Sequence, residues 1–588
     1  MKITKNQSAI SIVMLLIWLV VGITLRFYQL DSKPPWSDEF ATLVFSLGNS
    51  FRTVPLGEMI TLDTLVAPLK FNSVNGVNAV IHNLLTESNH PPAFFVLNHL
   101  WLQLFSTDGE LVSLGMARAL SAILGVLAIP AMYGLARIAF PSRLVAQMAA
   151  ALMAISPYGI YLSQETRHYT LVILLTIASL CCLILAVKTV SGFPKYNSLP
   201  IWLVAWWTVV NSLGVAVHYF FLLVIGAEAW VILWLTILQL FNTNSSIPWQ
   251  PWRRIYAAGI GSVMGILVWL PNLPQTSKDG LTEWVHQDIT LLSILEGVGR
   301  MFLWSLTMLM MLPLEEQGFS IMLIVSLIGI VFLFWAGKIF WQGWQFQFKQ
   351  PEKRLIINVL LGYILAAIAL CFVITYGLGI DLTLAARYQF GYFSALLLLL
   401  AVGLVGYMEL LSEVREQGTG NREQVKIGTS LTKYFGKISS KVAVGVILLI
   451  VFLGGFSVSA HLAYQRADRP DLLLEKMIAA TPDSSIPVLV TTVHKTHEQT
   501  GEMMGLAWEL MRFQGDKFTP QFLFTRKDKG VDLATETLHS ALDKMPRPFD
   551  LWTINFSAPR KLDNQQCDGD GRYKGKVSGY HYRLYHCY

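Results

Sequence analysis

The chain has 588 residues, of which 54% are hydrophobic and 14% charged, with a mean hydropathy of +0.50. A soluble domain carries roughly a quarter charged residues, so lipid is the main solvent of this chain. The formal net charge of +6 is modest and lies in short Lys and Arg clusters between apolar runs, which excludes a nucleic-acid-binding surface and fits cytoplasmic loops.

The first apolar run, Ile10 to Leu25, follows Lys2 and Lys5. It has no small-residue cleavage site and continues into Arg26, Phe27 and Tyr28. The expectation is a retained first helix with its amino terminus inside. A span needs roughly 20 apolar residues. Windows of that kind fall at 8–28, 113–136, 144–163, 168–190, 200–218, 220–241, 255–271, 319–340, 355–376, 388–408 and 441–461, about eleven spans in all. Arg137 and Arg143, Lys188 and Lys195, Arg253 and Arg254, Lys338 to Arg354, and the stretch from Arg415 to Lys441 then all fall on the cytoplasmic side.

Two further apolar stretches, 91–106 and 291–313, break this alternation if either is counted alone. The first carries Asn98, His99 and Gln103 and is followed by Asp108 and Glu110; the second holds Glu296 and Arg300 four residues apart. Both read as interfacial or re-entrant helices. Inserting both gives about thirteen spans and moves Glu165 inside. With eleven, the segments 29–112, 162–168, 218–219, 272–318, 377–387 and everything after about 461 are extracytoplasmic, and the long ones are expected to carry function.

At Tyr464-Gln-Arg-Ala-Asp the charge density rises and long apolar runs stop. Strand-like runs at 487–493, 521–525, 550–556 and 580–585 alternate with helical stretches near 471–480, 502–514 and 535–544, which predicts a small extracytoplasmic α/β domain over 462–588 behind a transmembrane domain over 1–461. Cys567 and Cys587 in this tail could form a disulfide in an oxidising compartment. Cys181, Cys182 and Cys371 lie in apolar runs and read as small packing residues.

The residues able to carry chemistry stand at the outer ends of the spans. PPWSDEF (34–40) holds Asp38 and Glu39 behind two stiffening prolines, although an acidic first helical turn explains the same pattern. His90 precedes Pro91 and Pro92. SQETRHY (163–169) puts Glu165, Arg167 and Tyr169 at membrane depth, where ionisable groups are paired or functional. His218 and Tyr219 mark another outer corner, open to an aromatic-belt explanation. Arg387 and Tyr388 begin the tenth span; a guanidinium suits a lipid-linked phosphate and equally suits snorkelling to headgroups. Trp284 and His286 are further substrate-facing candidates.

In this order the motifs resemble the GT-C membrane glycosyltransferases, in particular the bacterial relatives of protein O-mannosyltransferases and of the lipid A aminoarabinose transferase. The likeness covers residues 10–410. It includes Asp38 and Glu39, the stretch from His90 to Phe105, the block RALSAILGVLAIPAMYGLARIAF (118–140) followed by SPYGIYLSQETRHYTL (156–171), and the late Arg387-Tyr388. The family block commonly reads SQEARMYAL; here Thr166 and His168 differ. The tail carries no recognised motif.

The resemblance implies an all-α polytopic GT-C domain and a polyprenyl-phosphate-linked sugar donor. It implies transfer on the extracytoplasmic face of the plasma (inner) membrane, to a lipid, glycan or protein acceptor, with inversion and with Asp38 as base. An inverting transfer needs a carboxylate at the acceptor hydroxyl and cations at the departing phosphate, for which Arg167 and Arg387 serve. Glu39 and Glu165 would orient acceptor or sugar hydroxyls. The sequence assigns no cofactor, and a cluster of acids could equally bind a divalent cation, which some relatives use. The competing class is a secondary transporter or lipid flippase that uses buried acids for ion coupling; paired, Gly/Pro-interrupted spans in two matching halves are not evident. A non-catalytic membrane scaffold is the third reading.

Overall fold

The computed structural model describes the chain except residues 1–4, 193–197, 243–248, 270–289, 312–317, 419–438, 464–467, 481–485, 494–496, 514–518 and 528–529. Trp284 and His286 lie outside the described residues. The chain divides into two compact units, one of residues 1–29, 121–270 and 285–464, the other of 30–120, 271–284 and 465–588.

The first unit is helical. It contains α1 (Lys5–Phe27), most of α6 (Leu114–Ala139), α7 (Arg143–Ile155), α8 (Pro157–Ser163), α9 (Tyr169–Val190), α10 (Ile201–Val217), α11 (Leu222–Asn242), α12 (Trp249–Leu267), α13 (Leu291–Thr307), α14 (Phe319–Gln347), α15 (Pro351–Gly377), α16 (Phe390–Gly418) and α17 (Ser440–Ser459). Over their described residues, ten of the eleven expected windows fall on single helices or their opening turns, and 144–163 falls on the bent pair α7–α8. Among the described residues eight helices are long and apolar enough to cross a membrane, and the bent pair α7–α8 makes a ninth. Helix α10 has 17 residues, a little under the roughly 20 of a span, and Arg253 and Arg254 open the basic end of α12. Large apolar side chains point outward, among them Val20 at 63% and Phe334 at 79% exposure, as lipid-facing surfaces require. The chain is an integral membrane protein. Where α14 meets α16, a Cβ on Gly343 would collide with the Gly403 carbonyl, and one on Gly406 with the Gly343 carbonyl; small residues let these backbones touch.

The break between α7 and α8 follows from Pro157. A residue before proline is pushed out of the helical region, and Ser156 has φ −59° and ψ 125°. The two helices are bent by 53°. The Ser156 hydroxyl accepts the Gly159 N–H at 3.3 Å and donates to the Met308 carbonyl at 2.7 Å.

The second unit joins the first long loop to the tail. It holds α2 (Ser37–Ser46), α3 (Leu62–Val66), α4 (Val77–Glu87), α5 (Ala93–Leu102), the opening turns of α6, then α18 (Pro470–Ala480), α19 (Glu498–Phe513) and α20 (Val531–Leu542). Helix α5 has ten residues, about 15 Å of rise, too short to cross a bilayer. The strands are β1 (Met59–Ile60), β2 (Ile486–Val493), β3 (Gln521–Arg526), β4 (Phe549–Ile554), β5 (Cys567–Val577) and β6 (Tyr580–Cys587). They form one sheet in the order β1-β3-β2-β4-β6-β5. Strands β2, β3 and β4 run parallel and the remaining pairings are antiparallel.

Alternate residues of β2 serve two cores. Val488 and Val490 pack with Leu538 and Leu542 of α20. Leu489 packs in a larger core with Phe40 and Phe45 of α2, Phe95 of α5, Met504 of α19 and Trp552 of β4. The tail therefore shares its main core with residues 30–120, and β1 of the loop extends the sheet by pairing with β3. Cys567 and Cys587 are disulfide-bonded across β5 and β6, which answers the question the sequence left open.

Candidate functional site

In the second unit, Asp38 and Glu39 stand in the first turn of α2. Pro34 and Pro35 stiffen the chain ahead of it, Trp36 is the extended N-cap residue, and acids in a first turn are favoured by the helix dipole. The helix stops at Gly48, whose φ of +70° suits glycine; a Cβ there would lie 2.9 Å from Cβ of Asn75.

The two adjacent acids have different surroundings. Glu39 is fully buried; its Oε1 accepts from Arg118 Nε at 2.9 Å and its Oε2 from Arg118 Nη2 at 2.8 Å. Arg118, also fully buried, spends Nη1 on the carbonyls of Leu30 and Lys33, both at 2.9 Å. The pair thus fixes α2 against the opening of α6 and fastens the chain that leads into the PPW segment. Asp38 is half-buried and acts electrostatically on Asp468, His497 and Glu498.

His497 stacks on Phe51 at 4.6 Å and meets the edge of Phe45 at 5.4 Å. Desolvation pushes its pKa down to about 4, while Asp38 pulls it upward. Burial raises the Asp468 carboxyl, with Asp38 adding to the shift, whereas the Ser37 N–H that Asp468 accepts at 3.3 Å opposes it. His90 is half-buried, with Nδ1 3.1 Å from the Ser88 hydroxyl and its ring edge-on to Phe95.

In the first unit the structure gathers three corners that the sequence singles out separately. His168 and His218 meet at 4.5 Å, His168 and Tyr169 at 4.5 Å, and His218 and Phe390 at 5.3 Å. Phe220 meets Tyr388 edge-on at 5.3 Å. Arg167 lies over the Tyr169 ring at 5.9 Å and Arg387 over the Tyr388 ring at 5.4 Å. Glu165, Arg167, His168 and Tyr169 are buried, as is His218, while Arg387 and Tyr388 are half-buried. The Phe220 N–H donates to His218 Nδ1 at 3.0 Å, so that nitrogen carries no proton in this arrangement. The Ser121 hydroxyl donates to the Arg167 carbonyl at 3.0 Å.

No family model matches the sequence, and no curated protein matches it. Among solved structures, ArnT from Cupriavidus metallidurans bound to undecaprenyl phosphate is 11% identical, with a TM-score of 0.49 over 99% of this chain and 98% of that one. The archaeal oligosaccharyltransferase AglB from Archaeoglobus fulgidus, in complex with an inhibitory peptide and a dolichol-phosphate, is 12% identical with a TM-score of 0.45 over 98% and 74%. The S. cerevisiae Pmt1–Pmt2 complex bound to the sugar donor is 14% identical with a TM-score of 0.31 over 45% and 33%. The likeness is one of fold.

Three residues of the second unit were not singled out in the sequence. Arg118 lies inside the family-like block, and an arginine within an apolar helix is itself a signal. Asp468 and His497 lie in the tail, with no motif to flag them. Among the described residues no group of three or more His, Cys, Asp or Glu side chains is arranged to hold a metal ion.

Proposed function

We propose that the protein transfers a sugar from a polyprenyl-phosphate carrier to an extracytoplasmic hydroxyl acceptor, with inversion at the anomeric carbon. Undecaprenyl and dolichol phosphate, named with two of the similar structures, define the carrier class meant. The acceptor oxygen attacks the anomeric carbon as the bond from that carbon to the phosphate oxygen breaks. The electron pair leaves with the polyprenyl phosphate, and the hydroxyl proton passes to Asp38. Arg167 and Arg387 hold the departing phosphate, since a guanidinium stays charged and offers paired donors. Glu39, expected from the sequence to orient acceptor or sugar hydroxyls, has both carboxylate oxygens engaged by Arg118 and acts instead by keeping α2 in place. Glu165, Tyr169, His218, Tyr388 and His90 line the donor and acceptor sites, and the acceptor is a lipid, glycan or protein.

The observation that carries this reading is the meeting of segments 165–169, 218–220 and 387–390 around one set of rings with two arginines over its members. The disulfide adds a point in favour of an extracytoplasmic tail, because such bonds persist in oxidising compartments. Binding of undecaprenyl phosphate to the purified protein tests the phosphate assignment. Arg387→Gln and Arg167→Gln each weaken it by about tenfold or more, as expected for a lost charge-assisted contact. Wild-type affinity in both variants removes the arginines from the phosphate site.

A further inference from the structure

Arg26 ends α1 at membrane depth, where an ionisable side chain is costly, and it is fully buried. All three of its guanidinium nitrogens donate at this corner. Nη2 donates to the Met153 carbonyl at 2.9 Å and Nη1 to the Ala154 carbonyl at 2.9 Å. Nη1 also reaches the Gly22 carbonyl at 3.3 Å, and Nε donates to the Ser163 hydroxyl at 3.2 Å.

Met153 lies four residues before Pro157, and in a continuous helix its carbonyl would accept the N–H of residue 157. Proline has none. The guanidinium supplies the missing donor at the point where α7 is broken. A carbonyl left unpaired in lipid costs several kcal/mol, so the break and the buried arginine explain each other. Space for the planar group is left by Gly125, where a Cβ would stand 3.1 Å from Nε and collide with the Ser163 hydroxyl.

The same corner is fastened a second time by the next residue. Ser163 passes its own proton to the Gly159 carbonyl at 2.5 Å and accepts from Arg26. Gln164 then donates its amide to carbonyls at the end of α1, those of Leu25, Arg26 and Tyr28, at 3.3, 3.4 and 3.1 Å. Glu165 and Arg167 follow directly, and the Arg167 carbonyl is held from α6 by Ser121.

We propose that Arg26 is a positioning residue for the Ser163–Arg167 turn. By capping the broken end of α7 and holding Ser163, it sets where Arg167 presents its charge. The Arg167 role rests on the function proposed above; the hold on the turn does not.

The test uses the full chain in nanodiscs with Arg26→Met, Arg26→Lys and Ser163→Ala. Arg143→Gln serves as a control that loosens the same two helices at their other end, where Arg143 donates to Ser8 at 3.0 Å. Hydrogen exchange of the 160–170 peptide and undecaprenyl phosphate binding are measured together. Arg26→Met exchanges several-fold faster across this peptide and binds the lipid phosphate at least about tenfold more weakly. Turnover falls about 100-fold, the scale expected for a misplaced group. Arg26→Lys recovers part of each loss and Arg143→Gln shows none. Unchanged exchange in Arg26→Met, or the same pattern in Arg143→Gln, overturns the proposal. If Arg26→Met fails to fold, Ser163→Ala decides the matter: faster exchange supports the proposal and wild-type exchange refutes it. Faster exchange in a protein whose wild type binds no undecaprenyl phosphate leaves the positioning role standing and removes the transferase reading.

Discussion

The backbone N–H of Ser37 donates to the Asp468 carboxylate at 3.3 Å, so a residue 431 positions downstream completes the first turn of the helix that carries Asp38. Trp36, the N-cap residue, makes no side-chain cap of its own. An N-cap interaction contributes about 1 kcal/mol. Asp468→Ala should therefore lower the stability of the second unit by about that amount and reduce sugar transfer with it, while Asp468→Asn, which keeps an acceptor oxygen, loses less. Chemical denaturation followed through tail tryptophans, run beside a turnover assay, checks both.

The Glu39–Arg118 pair has no exposed atoms. Removing one member of such a pair leaves a buried charge and costs about 3–5 kcal/mol. Arg118→Met should abolish transfer and unfold the second unit at lower denaturant. Glu39→Gln, which retains one acceptor for the guanidinium, should fall between it and wild type. Equal stability of Arg118→Met and wild type would remove the pair from the account.

Burial pushes the Glu502 carboxyl from its ordinary 4.5 up to about 8, against the opposing hydrogen bond from Asn555. The folded pKa lies above the unfolded one, so the native state binds the extra proton. Stability is therefore highest below about 4.5 and declines as pH rises toward about 8, where it levels off. Glu502 is half-buried and partly screened. Glu502→Gln should then gain about 1 kcal/mol at pH 8.5, or about 2–4 °C in Tm for a unit of this size, and flatten the dependence. Thermal scans at pH 5 and 8.5 measure it.

Glu228 of α11 is buried, and it accepts from Ser179 of α9 at 2.5 Å and from Trp207 and Asn211 of α10 at 3.1 and 3.2 Å. A transporter would use such an acid for ion coupling. In the transferase reading it joins helices, so Glu228→Gln should keep turnover within about threefold of wild type. Glu228→Leu removes the acceptor shared by three donors, which keep Asn211, Ser179 and Ser262 as second partners, and should destabilise the membrane unit by about 1–3 kcal/mol in all. Loss of function in Glu228→Gln at full stability would favour the transporter.

The disulfide closes a segment with a sequence separation of 20. Loop-closure arguments give such a crosslink about 3 kcal/mol. Cys567→Ser with Cys587→Ser, or reduction of the wild type, should lower the unfolding midpoint of the second unit accordingly. Denaturant titration with and without reductant reads the difference.

Local periodicity made most of the architecture legible. The expected spans lie on helices, with 144–163 broken into α7 and α8, and the four expected strands of the tail are β2, β3, β4 and β6, because long apolar runs and alternating short ones are local signals. Strand β1 has two residues and no pattern to display. Strand β5 reads CDGDGRYKGKV, a polar edge without apolar alternation. The common core of α2, α5, α19 and β4 was not readable either: a hydrophobic face tells that a segment is covered, not which distant segment covers it. The same limit hid Asp468 and His497, whereas Arg167, His218 and Arg387 stood out because charge and polarity at a span end are conspicuous by themselves.

The measurement that bears most directly on the account is turnover of purified protein with synthetic polyprenyl-phosphate hexoses and pentoses. Free polyprenyl phosphate and the anomeric configuration of the transferred sugar are the readouts, with wild type compared to Asp38→Asn. Release of the lipid phosphate, an inverted product, and a loss of about 100-fold or more in the variant, the size of a missing general base, are expected. Undiminished turnover in a folded Asp38→Asn protein, or a product of retained configuration, would contradict it.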